Sequence, residues 1–403
     1  MKISSIETFV VGNASIHRGG PYWVFVKVST ACGIVGYGEI YGVAFHPKAL
    51  TVMIDDVFER HIEGTDPFKI ERLFRHIYSS GFSQRPDPTV MGVFSGIEIA
   101  LWDIIGKALD KPVCELMGGM VHERLRSYTY LNAPKEAASN QTVYDNADAA
   151  AARALEYIEQ GFTALKFDPA RPYTAFDPRQ LSMETLDFAA HYTATIRKAV
   201  EDRCDILIGT HGQMTPAGAI RLAKRLELYD PMWFEEPTPP DNHHGMARVA
   251  QNTSIPVATG ERLTTKYEFA DLLRHESAAI LQMNLGRVGG LLEAKKIAGM
   301  AEAFHAQIAP HLFCGPIVGA ANIQISACSP NFLIMEGIEQ WDGFQAEILK
   351  TPIQWEDGHI IVPNEPGIGV ELNEDVARAN PYTGDRLQLR MGDDPAPLNT
   401  DRA

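Results

Sequence analysis

The stretch PMWFEEPTPPDNHHGMARVAQNTSIPVATGERL, residues 231–263, decides the fold. Apolar Pro231 to Phe234 runs into Glu235-Glu236-Pro237, and apolar Ile255 to Thr259 runs into Gly260-Glu261. Each reads as a short strand ending in a carboxylate. Glu235 and Glu261 are 26 positions apart with a helix-length segment between them. That is about one βα unit of a (β/α)8 barrel, whose functional residues sit at the C-terminal ends of its strands. Neighbouring strands of this kind would put both carboxylates side by side. Paired oxygen ligands suit a hard cation such as Mg2+.

Outward from that stretch the chain alternates. Ser127–Leu131, Phe162–Phe167, Asp205–Thr210, Ala279–Met283, Gln307–Ala309 and Phe332–Met335 read as six further strands. Tyr144–Gln160, most of the segment up to Val200, and Pro216–Leu228 read as helices. Eight strands, each followed by helix or loop, predict an α/β fold: a (β/α)8 TIM-like barrel over residues 126–340. Residues 1–125 read as an α+β capping domain. It has strands over Lys2–Val11, Trp23–Ser29 and after Gly33, and an apolar helix over Thr89–Leu109. The loop Gly12–Pro21, with His17 and Arg18, reads either as a flap over a site or as an ordinary hairpin connection. Arg18 is its candidate substrate contact. Residues 341–403 read as a segment folding back on the capping domain. Ile360–Pro363 and Gly367–Leu372 are expected to be extra strands.

Composition narrows the function. In 403 residues, 45% hydrophobic content supplies a full core. A net charge of −15 argues against nucleic acid, which is held by basic patches. An anionic substrate would therefore be drawn in locally, by a cation or basic side chains. The start, MKISSIETFVV, alternates like a strand and lacks the apolar core of a secretory leader. No apolar run is expected to span a membrane. The five cysteines show no metal spacing and read as reduced thiols. A cytoplasmic, homo-oligomeric chain acting on a small molecule is expected.

The strand tips carry the chemistry. Strand two ends Lys166-Phe167-Asp168, strand three Gly209-Thr210-His211, and strands four and five at Glu235 and Glu261. Strand six ends at Asn284, seven at His311 and eight at Glu336. From position 209 the steps are 26, 26, 23, 27 and 25 residues. A lone His or Glu after a strand is usually solvated or hydrogen-bonded; six strand tips carrying polar residues in register favour a site. Two carboxylates would bind Mg2+, and the metal would stabilise an enolate formed when a substrate loses its α-proton. Lys166 or His311 could be the base, and the other, or His211, the acid.

These residues resemble the enolase superfamily, mandelate racemase subgroup, and its galactonate-dehydratase-like acid-sugar dehydratases. The resemblance spans nearly the whole chain. It includes Gly96-Ile-Glu-Ile-Ala-Leu-Trp-Asp-Ile-Ile-Gly-Lys107, Leu116-Met-Gly-Gly119, Phe234-Glu-Glu-Pro237, Gly260-Glu-Arg262, Ile297 to Ala303, Ala309-Pro-His311 and Pro366 to Glu371. It implies Mg2+-assisted abstraction of the proton α to a carboxylate, then loss of a β-hydroxyl. It also implies that His311 is the base and His211 the acid. Three positions depart from the family pattern. Gly209 stands where a third acidic ligand is usual, and Asn284 where an acid pairs with the strand-seven histidine. Asp168 replaces a second lysine after Lys166. Asp168 is either a relocated third ligand or the partner of a nearby cation. A sugar-acid epimerase or cycloisomerase is the alternative reaction, and a non-catalytic relative the alternative of another class; tightly held Mg2+ separates the last from the others.

Overall fold

Strands β1 (Ile3–Gly12), β2 (Tyr22–Thr30) and β3 (Val35–Ile40) form an antiparallel sheet in the order β1-β2-β3. Register pairs Phe9 with Phe25 and Val26 with Gly38. Helix Pro88–Leu109 packs on this sheet, and Val24, Val26, Phe94, Ile97 and Leu101 are buried between them. The approach is close enough that a Cβ on Gly38 would strike the carbonyl of Gly96, and one on Gly36 that of Ala100. Asp87 starts the helix: its Oδ1 accepts the N–H groups of Thr89 (2.8 Å) and Val90 (3.0 Å). At 22 residues this helix is long and apolar enough to cross a membrane, which corrects the expectation that no segment is. It is instead a core helix, with 83% of its apolar window buried and Glu98 and Asp103 inside it.

The computed structural model describes residues 1–42, 44–135, 137, 139–170 and 179–387. The rest of the expected C-terminal segment, residues 388–403, and part of the stretch leading to Val200, residues 171–178, lie outside the described residues. The chain forms two compact units. Of the described residues, one contains Met1–Arg126, Glu261–Ala270 and 282–387; the other contains Ser127–Gly260 and Asp271–Leu281.

The second unit is built of parallel strands separated by helices. They are the end of β4 (Arg124–Tyr130), then β5 (Ala164–Phe167), β6 (Asp205–Gly209), β7 (Trp233–Glu235), β8 (Val257–Thr259) and β9 (Ile280–Leu281). Each pairs with the next: Tyr130 with Lys166, Lys166 with Leu207, Gly209 with Glu235, Glu235 with Ala258, Thr259 with Leu281. Continuous burial along β5 explains its unbroken apolar run, as expected of a sheet covered on both faces. The helix expected over 144–160 is two, Gln141–Asp145 and Ala147–Glu159. Asn146 divides them by capping the second, its Oδ1 accepting from Asp148 and Ala149.

In the first unit β10 (Gln307–Ile308) and β11 (Met335–Glu336) complete the eight expected strands, and Ile308 bridges to Phe332 in parallel. β12 (Trp355–Glu356) and β13 (His359–Ile361) form a hairpin. The strand expected over Gly367–Leu372 is absent. Its ends make only isolated bridges, Gly367 to Pro112 and Leu372 to Leu349. Beyond it, Glu374 accepts from Lys27 (2.6 Å) and Tyr37 (2.7 Å), and Tyr382 donates its N–H to Val10 O (2.9 Å).

Candidate active site

The tips of β5, β6 and β7 gather one set of side chains. Lys166 Nζ lies 3.1 Å from Glu235 Oε1, and both are buried. The other Glu235 oxygen accepts the Trp233 indole N–H at 3.0 Å. The Lys166 ammonium sits 5.4 Å from the ring centre of Tyr128 and 5.2 Å from that of Tyr130. The burial of this pair is offset on both sides: the carboxylate faces an ammonium and an indole N–H, and the ammonium faces two aromatic rings. Gly209, opposite Glu235 in the sheet, is glycine for lack of space. A Cβ there would lie 2.8 Å from Lys166 Cγ, 2.9 Å from Cδ and 3.1 Å from Tyr130 Oη. Its φ is outside the left-handed region, so backbone conformation does not demand glycine.

His211 follows on the same tip. Its Nδ1 is 3.5 Å from Asp168 Oδ2, and its ring is 35% exposed, so it remains within reach of a ligand. Gln213 ties the pair together, accepting the His211 N–H (2.7 Å) and donating to Asp168 Oδ2 (3.3 Å). Asp168 Oδ1 accepts the N–H of Ala170 (2.7 Å). Glu236 does different work from its neighbour: its Oε1 accepts from Thr259 Oγ1 (2.5 Å) and Gly260 N–H (3.0 Å), bracing the end of β8.

The first unit gathers a second set. His311 Nε2 lies 3.2 Å from Glu261 Oε2, both nearly buried. Asn284 holds the other face of the ring. Its Oδ1 accepts the N–H of Gly286 (2.9 Å), which leaves Nδ2 facing His311 Nδ1 (3.0 Å) and the His311 carbonyl (3.3 Å). Turning the amide over would set two donors against each other at Gly286, so the network assigns its orientation. An amide donor at Nδ1 puts the proton of the neutral ring on Nε2, toward Glu261. Asn322 Nδ2 also donates to the His311 carbonyl (3.1 Å), and Glu336 Oε2 accepts the N–H of Leu312 (2.8 Å). Tyr41, just past β3, has its ring centre 5.5 Å from that of His311, and burial pushes its hydroxyl well above the usual range.

Arg18 makes a two-pronged pair with Glu339, Nε to Oε2 at 2.7 Å and Nη2 to Oε1 at 2.9 Å. The loop around it is fastened by Asn13 Nδ2, which donates to the carbonyls of Ser15, Arg18 and Gly20. The supports Trp233, Tyr128, Tyr130, Gln213, Asn322 and Tyr41 are missed by sequence reasoning. Trp233 alone carried a usable signal, two residues before Glu235 and so on the same strand face.

Comparison with known proteins fits this architecture. Residues 11–118 match the mandelate racemase / muconate lactonizing enzyme N-terminal domain, and residues 149–376 match the enolase C-terminal domain-like family. The chain belongs to the mandelate racemase / muconate lactonizing enzyme family. Its fold is therefore the α/β, TIM-type barrel with an N-terminal capping domain. A solved mandelate racemase/muconate lactonizing enzyme from Burkholderia SAR-1 is 59% identical with a TM-score of 0.97, covering 99% of each chain. D-xylonate dehydratase of Haloferax volcanii is 32% identical over 96% of this chain and 90% of its own length. D-galactonate dehydratase of Ralstonia nicotianae is 34% identical over 93% of each.

For a metal, the donor chemistry discriminates. His243, Asp271 and His275 are the group of three potential ligands, among the described residues, whose donor atoms lie within 4.8 Å of one another. Two imidazoles do not suit Mg2+, which prefers oxygen. Glu235 and Glu261 are buried carboxylates, the hard donors that Mg2+ takes one or two at a time while keeping water or substrate oxygens.

Proposed function

We propose that this protein is a Mg2+-dependent dehydratase of a sugar acid, converting it to the 2-keto-3-deoxy acid. The single observation that carries this reading is the imidazole of His311 fixed by Asn284 against the strand-tip carboxylate Glu261, on a chain whose relatives are acid-sugar dehydratases. Glu235 and Glu261 would hold the ion, which supplies the positive charge that stabilises an enolate. Gly209 offers no third carboxylate, and Asp168 is committed to Ala170, Gln213 and His211, so water or substrate oxygens would fill the remaining positions.

The charge and polarity of the groups facing the two rings suggest the proton traffic. His211 faces a carboxylate through Nδ1, which favours a proton there and leaves the lone pair of Nε2 as the basic site. His311 faces an amide donor and presents Nε2–H. We therefore assign His211, supported by Asp168, to remove the α-proton and His311 to pass its Nε2 proton to the departing β-hydroxyl; the proton gained by His211 is then released to solvent and His311 takes one back, restoring both neutral rings. These roles are the reverse of those the family resemblance implies. Lys166, held by Glu235, provides a fixed positive charge, and Glu336 and Asn284 position the segment around His311. The C–H electron pair forms the enolate, the β C–O bond breaks as water leaves, and the enol product ketonises.

The test is a sugar-acid library in deuterated solvent with α-keto acid and deuterium uptake both recorded. His311→Asn is expected to retain α-proton exchange while losing elimination, and His211→Asn to lose both, each by roughly 10²–10⁴-fold. Exchange lost only in His311→Asn would restore the opposite assignment. An epimer or ring-opened isomer without α-keto acid would mean an isomerase. We expect the enzyme to act as a homo-oligomer on a small substrate; sizing of the purified chain checks the assembly.

A further inference from the structure

The second unit carries a cluster that the strand-tip chemistry does not use. His243 opens helix His243–Ala250, and its Nδ1 is 2.7 Å from Asp271 Oδ2. His275 lies one helical turn beyond Asp271. Its Nδ1 is 3.6 Å from Asp271 Oδ1 and 2.9 Å from the Asp271 carbonyl oxygen. Two imidazoles thus approach the two oxygens of one carboxylate. The second nitrogen of His243, Nε2, is buried and makes no hydrogen bond among the described residues. A fourth group stands alongside: the rings of His244 and His275 are 4.0 Å apart between centres.

We propose that His243, Asp271 and His275 bind one borderline divalent cation of the Zn2+ class, with water or His244 completing the shell. Imidazole nitrogens with one carboxylate oxygen form a common tetrahedral Zn2+ donor set and a poor Mg2+ one. Ligand atoms around tetrahedral Zn2+ are roughly 3.4 Å apart, given bonds of about 2.0–2.2 Å. Donor atoms within 4.8 Å of one another reach that spacing by side-chain rotation. His275 precedes β9, so the cluster belongs to the N-terminal end of that strand, the end that in this fold serves stability more than catalysis. The cation would fasten the start of helix His243–Ala250 to the C-terminal end of helix Thr265–Arg274, which carries Asp271 and is followed by His275. This site stands independently of the dehydratase reading.

The experiment uses the full chain without a polyhistidine tag, stripped with a strong chelator and titrated with Zn2+ and with Co2+. With Mg2+ in excess to fill the strand-tip carboxylates, the expected result is one tightly held Zn2+ or Co2+ per chain, a Co2+ visible spectrum of four- or five-coordinate type, and a rise in thermal midpoint on binding. His275→Gln and Asp271→Asn should each weaken binding at least tenfold, while Glu235→Gln leaves it intact. The proposal is overturned if the native chain binds no Zn2+, or if His275→Gln binds it as tightly as the native chain. It is also overturned if Glu235→Gln, and not His275→Gln, abolishes binding, since the ion would then sit at the strand tips. Should Asp271→Asn not fold, the His275→Gln spectrum decides.

Discussion

Adding one methyl group at Gly209 tests whether Lys166 occupies the space that an acidic side chain would need. Two effects oppose each other in Gly209→Ala. Replacing glycine within a strand reduces the freedom of the unfolded chain and favours folding by roughly 0.5–1 kcal/mol. Against this, the new Cβ would meet Lys166 Cγ at 2.8 Å and Cδ at 2.9 Å. Overpacking of this kind costs about 1–3 kcal/mol. These contacts fall on the middle of the lysine stem, whose end is held by Glu235 at 3.1 Å, so the stem cannot swing away without breaking a buried pair. The clash is expected to win, with a net loss of about 0.5–2 kcal/mol. In a Lys166→Ala background the stem is gone and the sign should reverse, to a gain of about 0.5 kcal/mol. Urea unfolding of the four proteins in this double-mutant cycle measures the coupling directly. Equal effects of Gly209→Ala in both backgrounds would refute the steric reading of Gly209.

Three further outcomes follow. Gly209→Asp alone should fail to tighten Mg2+, while Gly209→Asp combined with Lys166→Ala should bind it more tightly than Lys166→Ala, by calorimetric titration. Asn284→Asp should move the neutral-ring proton of His311 from Nε2 to Nδ1, seen in nitrogen-15 histidine spectra; a native ring already protonated at Nδ1 would contradict the assignment. Glu39, buried and capping the helix that starts at Pro316 by accepting from Gly315 (2.5 Å) and Val318 (2.9 Å), has its carboxyl pushed up to about 8 by burial. The folded state therefore keeps a proton that the unfolded chain releases near its ordinary value of 4.5. The native chain should lose stability as pH rises from about 5 to 8, by up to about 1.4 kcal/mol per unit from this group. Glu39→Gln should flatten that slope, and an unchanged slope would remove Glu39 as its source.

The parts of the fold that could be read in advance are those with local signatures. Apolar runs that stop at a carboxylate locate β7 and β8, and recurrence at one-unit steps locates the remaining tips. Strand length was less legible: β9, β10 and β11 are two residues each, because backbone pairing covers only part of each apolar run. Gly367–Leu372 has the composition of a strand but lacks a continuous partner. The polarity of His311 depends on where the Asn284 amide points, and Gly286 N–H fixes that through space. Gly209 reads as a lost ligand in one dimension and as room for Lys166 in three. The cluster joins His243 to Asp271, 28 positions on, and to His275 one helical turn later, and only folding reveals it.

The most direct test of the central claim is product analysis. Purified chain with Mg2+ is incubated with a library of sugar acids, and α-keto acid is quantified before and after exhaustive chelation. The expected result is a 2-keto-3-deoxy acid from at least one sugar acid, lost with chelation and with Glu235→Gln. Undiminished turnover after chelation, or no α-keto acid from any member while deuterium enters the α-position, would contradict a Mg2+-dependent dehydratase.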